Sequence, residues 1–178
     1  GYSVSMPDAN TLAIGAIRNG GNGASAGHVR IFEWNGTAWI QKGLDIDGEA
    51  AGDSFGWSVS MPDINTVAIG ARNNDGNGLT SGHVRVFEWN GSAWVQKGAD
   101  IDGEAAGDGF GTSVSMADAN NLAIGSQLNS DNGASAGHVR IFSWDGSSWS
   151  QKGFDIDGEA AGDQSGYSVS MADTNTLA

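Results

Sequence analysis

The chain repeats itself with a period of 55 residues, and this period constrains its fold more than any other feature. The six residues that open the chain at Gly1 return, with at most one change, at Gly56, Gly111 and Gly166. Three copies, residues 1–55, 56–110 and 111–165, are followed by the start of a fourth, residues 166–178. A period of this size is typical of stacked units that bury their apolar faces against one another. We therefore expect the copies to form one repeat domain.

The composition favours β-structure with an acidic surface. The chain has 29 Gly, 2 Pro and no Cys, and its β-branched and aromatic residues are gathered in short runs. The net charge of −13 repels phosphate backbones and anionic lipids, which disfavours nucleic acids and membranes as partners. No apolar run reaches the roughly 20 residues of a membrane helix, so we expect no membrane insertion.

The second copy contains four strand signals. Residues 57–61 alternate apolar and polar side chains, residues 66–71 and 83–89 form two further β-rich runs, and residues 92–97 a fourth. In the second run Ala68 and Gly70 share a face, and such small residues indicate close approach of another segment.

The pair Asn90-Gly91 predicts a two-residue type I′ turn between the third and fourth strands. Such a turn would set Phe87 directly opposite Trp94, as a cross-strand aromatic pair that stabilises the sheet. The same turn and pair recur in every copy, so the expected structural residues are Asn35, Gly36, Asn90, Gly91, Asp145 and Gly146 in the turns, and Phe32, Trp39, Phe87, Trp94, Phe142 and Trp149 in the pairs.

Both faces of this sheet carry apolar side chains, which predicts that each sheet lies between neighbours of its own kind. Four short antiparallel strands per repeat, buried on both faces, are typical of a β-propeller blade. The predicted fold is all-β, a segment of a larger propeller or array. A β-solenoid and an open spiral of blades are the alternatives.

Two motifs resemble the FG-GAP repeat. Gly-Asp-x-Phe-Gly-x-Ser-Val-Ser occurs at residues 52–60 and 107–115, and Val-Ala-Ile-Gly-Ala occurs at residues 67–71. The FG-GAP repeat builds the seven-bladed propeller of integrin alpha subunits and of many bacterial surface proteins, so the resemblance implies an extracellular or cell-surface location. Calcium-binding members carry an aspartate-rich loop between the first two strands, whereas this chain has only Asp63-Ile-Asn65 and its equivalents there, so calcium is not expected at that hairpin.

The segment that joins successive repeats is rich in carboxylates. Calcium prefers flexible, oxygen-rich ligand sets, so these loops are candidate calcium sites and calcium is the candidate cofactor. The alternative is a solvated connection in which Asp53 accepts hydrogen bonds from backbone amides. The candidate ligands are Asp45, Asp47, Glu49 and Asp53, then Asp100, Asp102, Glu104 and Asp108, then Asp155, Asp157, Glu159 and Asp163.

One histidine and one arginine recur in the third strand of each repeat. His28, His83 and His138 are 55 residues apart, which predicts a ring of structural histidines rather than one shared metal site. The arginines two positions later are expected to stack on aromatic rings or to pair with loop carboxylates.

We expect a non-catalytic extracellular module for adhesion, recognition or surface assembly, because no nucleophile–His–acid set or phosphate loop is present. Other blades of the same protein, copies of the chain, and a protein or glycan ligand are the expected partners. The alternatives are a carbohydrate-binding propeller with equivalent pockets between blades, and a propeller subdomain of a larger secreted enzyme. The loops at residues 17–27, 72–82 and 127–137 differ most between copies and are the predicted contact surface.

Overall fold

The computed structural model describes residues 1–178 as strands, turns and loops, without a helix. The chain consequently has no helix with the length and apolarity that crossing a membrane requires. Each full repeat forms one antiparallel sheet, and the partial repeat forms a two-stranded hairpin. The strands are β1 Ser3–Asp8, β2 Thr11–Ala16, β3 His28–Trp34, β4 Trp39–Gln41 and β5 Ile46–Asp47; β6 Ser58–Asp63, β7 Thr66–Ala71, β8 His83–Trp89, β9 Trp94–Gln96 and β10 Ile101–Asp102; β11 Ser113–Asp118, β12 Asn121–Ser126, β13 His138–Trp144, β14 Trp149–Gln151 and β15 Ile156–Asp157; and β16 Met171–Asp173 with β17 Thr176–Leu177.

The first three strands of each repeat form an antiparallel meander, as the sequence predicts. In the second repeat β7 and β8 have the predicted bounds, and β6 begins one residue later than expected. The strands pair antiparallel throughout, whereas a β-solenoid would require parallel pairing. The prediction of an all-β fold built of blade-like sheets is confirmed.

The outer strand of each sheet is shorter than predicted and is divided in two. The second repeat was expected to have one strand over residues 92–97, but β9 covers only Trp94–Gln96. The chain then leaves the sheet and returns as β10, which pairs with the other end of β8. Each blade therefore has a broken outer edge made of strands three and two residues long.

The predicted two-residue turn is wrong, and so is the register that it implied. The loop has four residues, Asn90–Ala93, because the Asn90 side-chain oxygen accepts hydrogen bonds from the backbone N–H groups of both Ser92 and Ala93. The longer loop shifts the pairing by two residues and leaves each side chain on its predicted face. The same four-residue loop replaces the predicted turns at Asn35-Gly36, Asn90-Gly91 and Asp145-Gly146.

The cross-strand aromatic pair is consequently a pair of tryptophans. Trp89 lies opposite Trp94, with ring centroids 5.5 Å apart, while Phe87 lies opposite Gln96. Phe87 instead packs edge-on against Phe55 of the preceding linker at 6.4 Å. The predicted pairings of Phe32 with Trp39 and of Phe142 with Trp149 are replaced in the same way, by Trp34 with Trp39 and Trp144 with Trp149.

The core of the molecule lies between sheets rather than within any one of them. One apolar cluster joins Val29 and Ile31 of the first repeat to Val67 and Ile69 of the second. A second cluster joins the opposite face of the second sheet to the third, and a smaller one joins the third sheet to the partial repeat. Each internal face is therefore buried by the neighbouring repeat, as the apolar pattern on both faces predicts.

Successive sheets approach most closely at their first two strands. A Cβ atom added to Gly70 would overlap the carbonyl oxygen of Gly111 in the next repeat, which explains the small side chain at this position. The Ser60 hydroxyl accepts a hydrogen bond from Met116 N, at 3.0 Å, across the same junction. Equivalent contacts recur at the other junctions, so the first strands of all repeats lie side by side.

Candidate functional site

The four carboxylates of the acidic linker lie in three different environments. Ile46 points into the apolar core, and strand alternation therefore places Asp45 and Asp47 together on the opposite face, beside His28. Their carboxylates lie 3.2 Å and 4.0 Å from His28 Nδ1. The isoleucine between two acids, unusual for a calcium loop, thus follows from the short strand β5.

Glu49 leaves the other acids of its linker and reaches the next repeat. Its carboxylate lies 3.4 Å from Arg85 and forms one cluster with His83 and Asp100, in which the ligand atoms lie within 4.8 Å of one another. Glu104, His138 and Asp155 form the equivalent cluster at the following junction. These two sets, each built from two repeats, are called the junction clusters below.

Asp53 closes the turn of its own linker. Its carboxylate accepts hydrogen bonds from Ala50 N at 3.0 Å and from the Asn74 side chain at 3.1 Å, and it is buried. Asp108 has the same two contacts with Ala105 and Asn129, and Asp163 accepts from Ala160 N. These contacts match the amide-capping alternative.

Within each linker, the four acids proposed as calcium ligands thus do not all meet at one point. Asp102 is paired with His83 across the sheet, and Asp157 with His138, while Glu159 lies exposed at the last linker. Calcium binding by these loops stays a prediction.

Burial sets the electrostatics of the second repeat's cluster. It lowers the pKa of His83 to about 4, and the charge of Arg85 acts in the same direction against the opposing carboxylates of Asp100 and Asp53. Burial likewise raises the pKa of Asp102, helped by the nearby charge of Asp100. His83 is therefore a neutral imidazole at pH 7.

The arginines both stack on aromatic rings and reach the linker. The Arg85 guanidinium lies 4.4 Å from the ring centre of Phe55 and donates a 2.7 Å hydrogen bond to the backbone oxygen of Asp47. Arg140 lies over Phe110 and Phe142 in the same way. Stacking on aromatic rings and contact with the linker, the two roles that the sequence offered for the arginine, are therefore combined in the same side chain.

A lysine that was not identified from the sequence connects each blade to the next. Lys42 Nζ donates to Ile64 O at 2.7 Å and to the Asn65 side chain, and it lies over the rings of Trp89 and Trp94. Trp94 Nε1 in turn donates to Lys42 O at 2.9 Å. The recurrence of Gln-Lys-Gly at residues 41–43, 96–98 and 151–153 was the available signal.

Two equivalent grooves follow the outer edges of the junctions, with volumes of about 490 Å³ and 260 Å³. Each combines a tryptophan edge, an arginine and two aspartates. The shared lining positions are Leu44, Asp45, Ile46, Asp47, Arg85, Phe87, Ala93 and Trp94 in the first groove, and Ala99, Asp100, Ile101, Asp102, Arg140, Phe142, Ser148 and Trp149 in the second.

The three variable loops share one backbone frame. Asn22, Asn77 and Asn132 each donate a side-chain hydrogen bond to the glycine oxygen of their own linker, at 2.7–3.0 Å. Ser25, Thr80 and Ser135 each adopt a left-handed conformation, with φ between 50° and 57°. The loops therefore hold different side chains on matching supports.

Comparison with known protein families shows that residues 44–87 match the FG-GAP repeat. No curated protein matches the chain. The matched stretch contains both motifs on which the resemblance was based and runs from one linker into the third strand of the second repeat. This stretch thus matches an FG-GAP repeat, and the same residues recur every 55 positions in the other copies.

Proposed function

We propose that the chain is a non-catalytic recognition module of the cell exterior, whose variable loops bind a protein partner. FG-GAP repeats generally serve adhesion or ligand recognition, form a non-enzymatic module and are typically extracellular, which supports the proposal. Surface assembly through repeats of the same kind is compatible with it, since neighbouring repeats bury each other's apolar faces.

The observation that carries the proposal is the contrast between a constant frame and variable tips. The asparagines and glycines that hold the loops are the same in every repeat, but the exposed positions differ. Gly20 is replaced by Asp75 and Ser130, and Ala24 by Leu79. Loops on a rigid scaffold commonly carry recognition, and an exposed leucine such as Leu79 is a typical contact residue.

The test makes two exposed positions of the second loop the same as in the first. The double variant Asp75→Gly/Leu79→Ala keeps the Asn77 support, removes the exposed leucine, and also removes the hydrogen bond that Thr80 N donates to Asp75. Binding to immobilised fibronectin, laminin and collagen is measured by interferometry, beside the control Val95→Ala, which removes an exposed apolar side chain outside both the loops and the grooves. We expect the parent and the control to bind one of these proteins and the loop variant to lose that binding. Binding by none of them, or equal binding by both variants, would contradict the proposal.

The two junction grooves favour a second candidate, carbohydrate binding. Tryptophan side chains with nearby arginine and carboxylate groups would provide apolar contact and hydrogen bonds for a sugar, and the grooves repeat at equivalent positions. The double variant Ala93→Trp/Ser148→Trp fills both grooves from positions at their rims. Loss of binding on a glycan array in this variant, with binding retained in the loop variant, would support the groove over the loops.

A further inference from the structure

Each junction buries a histidine with at least one ring nitrogen that lacks a hydrogen-bond partner. His83 is 1% exposed and His138 is fully buried. Nε2 of His83 and both ring nitrogens of His138 have no partner. Buried polar atoms are nearly always paired in folded proteins, so an unpaired nitrogen at the same place in two repeats requires an explanation.

Carboxylates from two different repeats surround each of these rings. At the second junction His138 Nδ1 faces Asp155 at 3.7 Å, and Glu104 of the preceding linker completes the cluster. At the first junction Glu49 and Asp100 hold the same positions around His83. The arrangement brings one imidazole and two carboxylates to one point, and at each of these two junctions the two carboxylates come from different repeats.

The charges at the first junction are unbalanced. Three carboxylates, those of Glu49, Asp53 and Asp100, act on Arg85, which is the single cation among them. The carboxylates that face Arg85 therefore outnumber it, with Glu49 and Asp100 partly exposed, and a divalent cation would offset the excess negative charge.

We propose that each junction cluster binds one divalent transition-metal ion of the zinc class, through His83, Glu49 and Asp100 at the first junction and through His138, Glu104 and Asp155 at the second. Imidazole is a preferred ligand of zinc, whereas calcium selects oxygen atoms alone. The ion would be bound by the imidazole of each cluster, whose Nδ1 faces Asp100 or Asp155, and would connect two repeats.

Metal binding requires only small movements of side chains. Zinc–ligand bonds of about 2.0–2.2 Å bring the ligand atoms closer than their present separations of up to 4.8 Å. Glu49 exchanges its 3.4 Å contact with Arg85 for the ion, while Arg85 keeps its 2.7 Å hydrogen bond to Asp47 O. The first repeat provides a contrast, because His28 has Asp45 and Asp47 beside it but no glutamate from a preceding repeat.

The experiment measures zinc stoichiometry on the full chain. Protein stripped with chelator is dialysed against zinc, manganese or calcium chloride, and bound metal is counted by mass spectrometry while calorimetry gives the affinity. We expect one zinc ion per junction, a higher melting temperature with zinc, and no displacement by calcium, since a ligand of the native state stabilises it.

Variants assign the ligands. His83→Gln should remove one zinc ion per chain, and His83→Gln/His138→Gln should remove both. Glu49→Gln tests the same site from a half-exposed position if the histidine variant fails to fold. Glu88→Gln, an exposed charge change outside the clusters, should leave the stoichiometry unchanged. Absence of bound zinc, zinc that persists in Glu49→Gln and His83→Gln, or calcium binding that these variants do not alter would each overturn the proposal.

Discussion

The first and second repeats have nearly the same sequence, yet their corresponding faces differ in environment. Met6 is 54% exposed, whereas Met61 at the equivalent position is 5% exposed. The difference arises because the first repeat covers this face of the second sheet, whereas no residue among 1–178 covers the corresponding face of the first sheet. Burial in this molecule is therefore a property of pairs of repeats.

The polar groups differ in the same way. Arg30 is exposed, whereas Arg85 is buried against Phe55 and receives a glutamate from the preceding linker. A single repeat thus contains half of each junction, polar and apolar alike. This dependence can be tested by substitutions at matched positions.

Substitution of the linker phenylalanine is expected to have the largest effect. Phe110 is fully buried between the second and third sheets, so Phe110→Ala should lower the free energy of unfolding by about 3–5 kcal/mol. The control Phe154→Ala, at a phenylalanine that is 96% exposed, should change it by less than about 0.5 kcal/mol. Denaturant unfolding measures both, and equal losses would show that burial by the neighbour is not the determinant.

The paired methionines test the comparison directly. Met61→Ala should cost about 2–5 kcal/mol, and Met6→Ala about 0.5 kcal/mol or less, although the two residues hold the same position in their repeats. Extending the chain with one repeat before Gly1 sharpens the test, because Met6 would then be covered. We expect the cost of Met6→Ala to rise toward that of Met61→Ala, and no rise in the extended chain would contradict the pairing of repeats.

A smaller effect is expected from the indole N–H groups. Trp94→Phe keeps most of the ring but removes the hydrogen bond to Lys42 O, which should cost about 1 kcal/mol. Trp39→Phe is the matched change on the uncovered face, where the indole is 40% exposed, and it should cost less. Thermal unfolding of both variants gives the comparison, and a larger loss for Trp39 would be inconsistent with it.

The smallest expected effect is a pH dependence confined to the third repeat. Its loop carries Asp145 where the other loops carry Asn35 and Asn90. Hydrogen bonds from the backbone of Ser148 and Ser147 hold the pKa of Asp145 below its ordinary value of 3.8. A carboxyl group with a lowered pKa adds stability above its unfolded pKa and loses it as the pH falls through the folded pKa.

Asp145→Asn should therefore flatten the acid limb of the stability curve below about pH 4 and leave the stability at pH 7 nearly unchanged. Denaturant titrations at a series of pH values measure this difference. An acid limb identical to that of the parent would show that the carboxylate does not contribute.

The sequence predicted the strands well and their outer hairpin poorly. Strands 66–71 and 83–89 were predictable because alternation and β-rich composition act locally. The loop at Asn90 was not, because the Asn side chain replaces the backbone as the acceptor within the turn and adds two residues to it. Asn-Gly is a strong signal for a hairpin, but here it does not fix the register.

The residues of the candidate site could be predicted from the sequence, but which of them lie together could not. The linker acids, the histidines and the arginines were all identified from their recurrence. That Glu49 would join His83 and Asp100, rather than Asp45 and Asp47, depends on how one blade lies against the next. The repeat period shows which units are neighbours, but it does not give the distances between side chains on the two sides of a junction.

The division of the outer strand affects how the protein behaves at high concentration. A sheet edge with unpaired backbone groups can recruit strands from other molecules, and natural proteins limit this by keeping edge strands very short. The outer edge of each blade offers only three and then two residues in register, separated by four residues that begin with a lysine and a glycine. An incoming strand would find no continuous row of donors and acceptors, so these edges should resist amyloid-like strand addition even where many blades are displayed at high density.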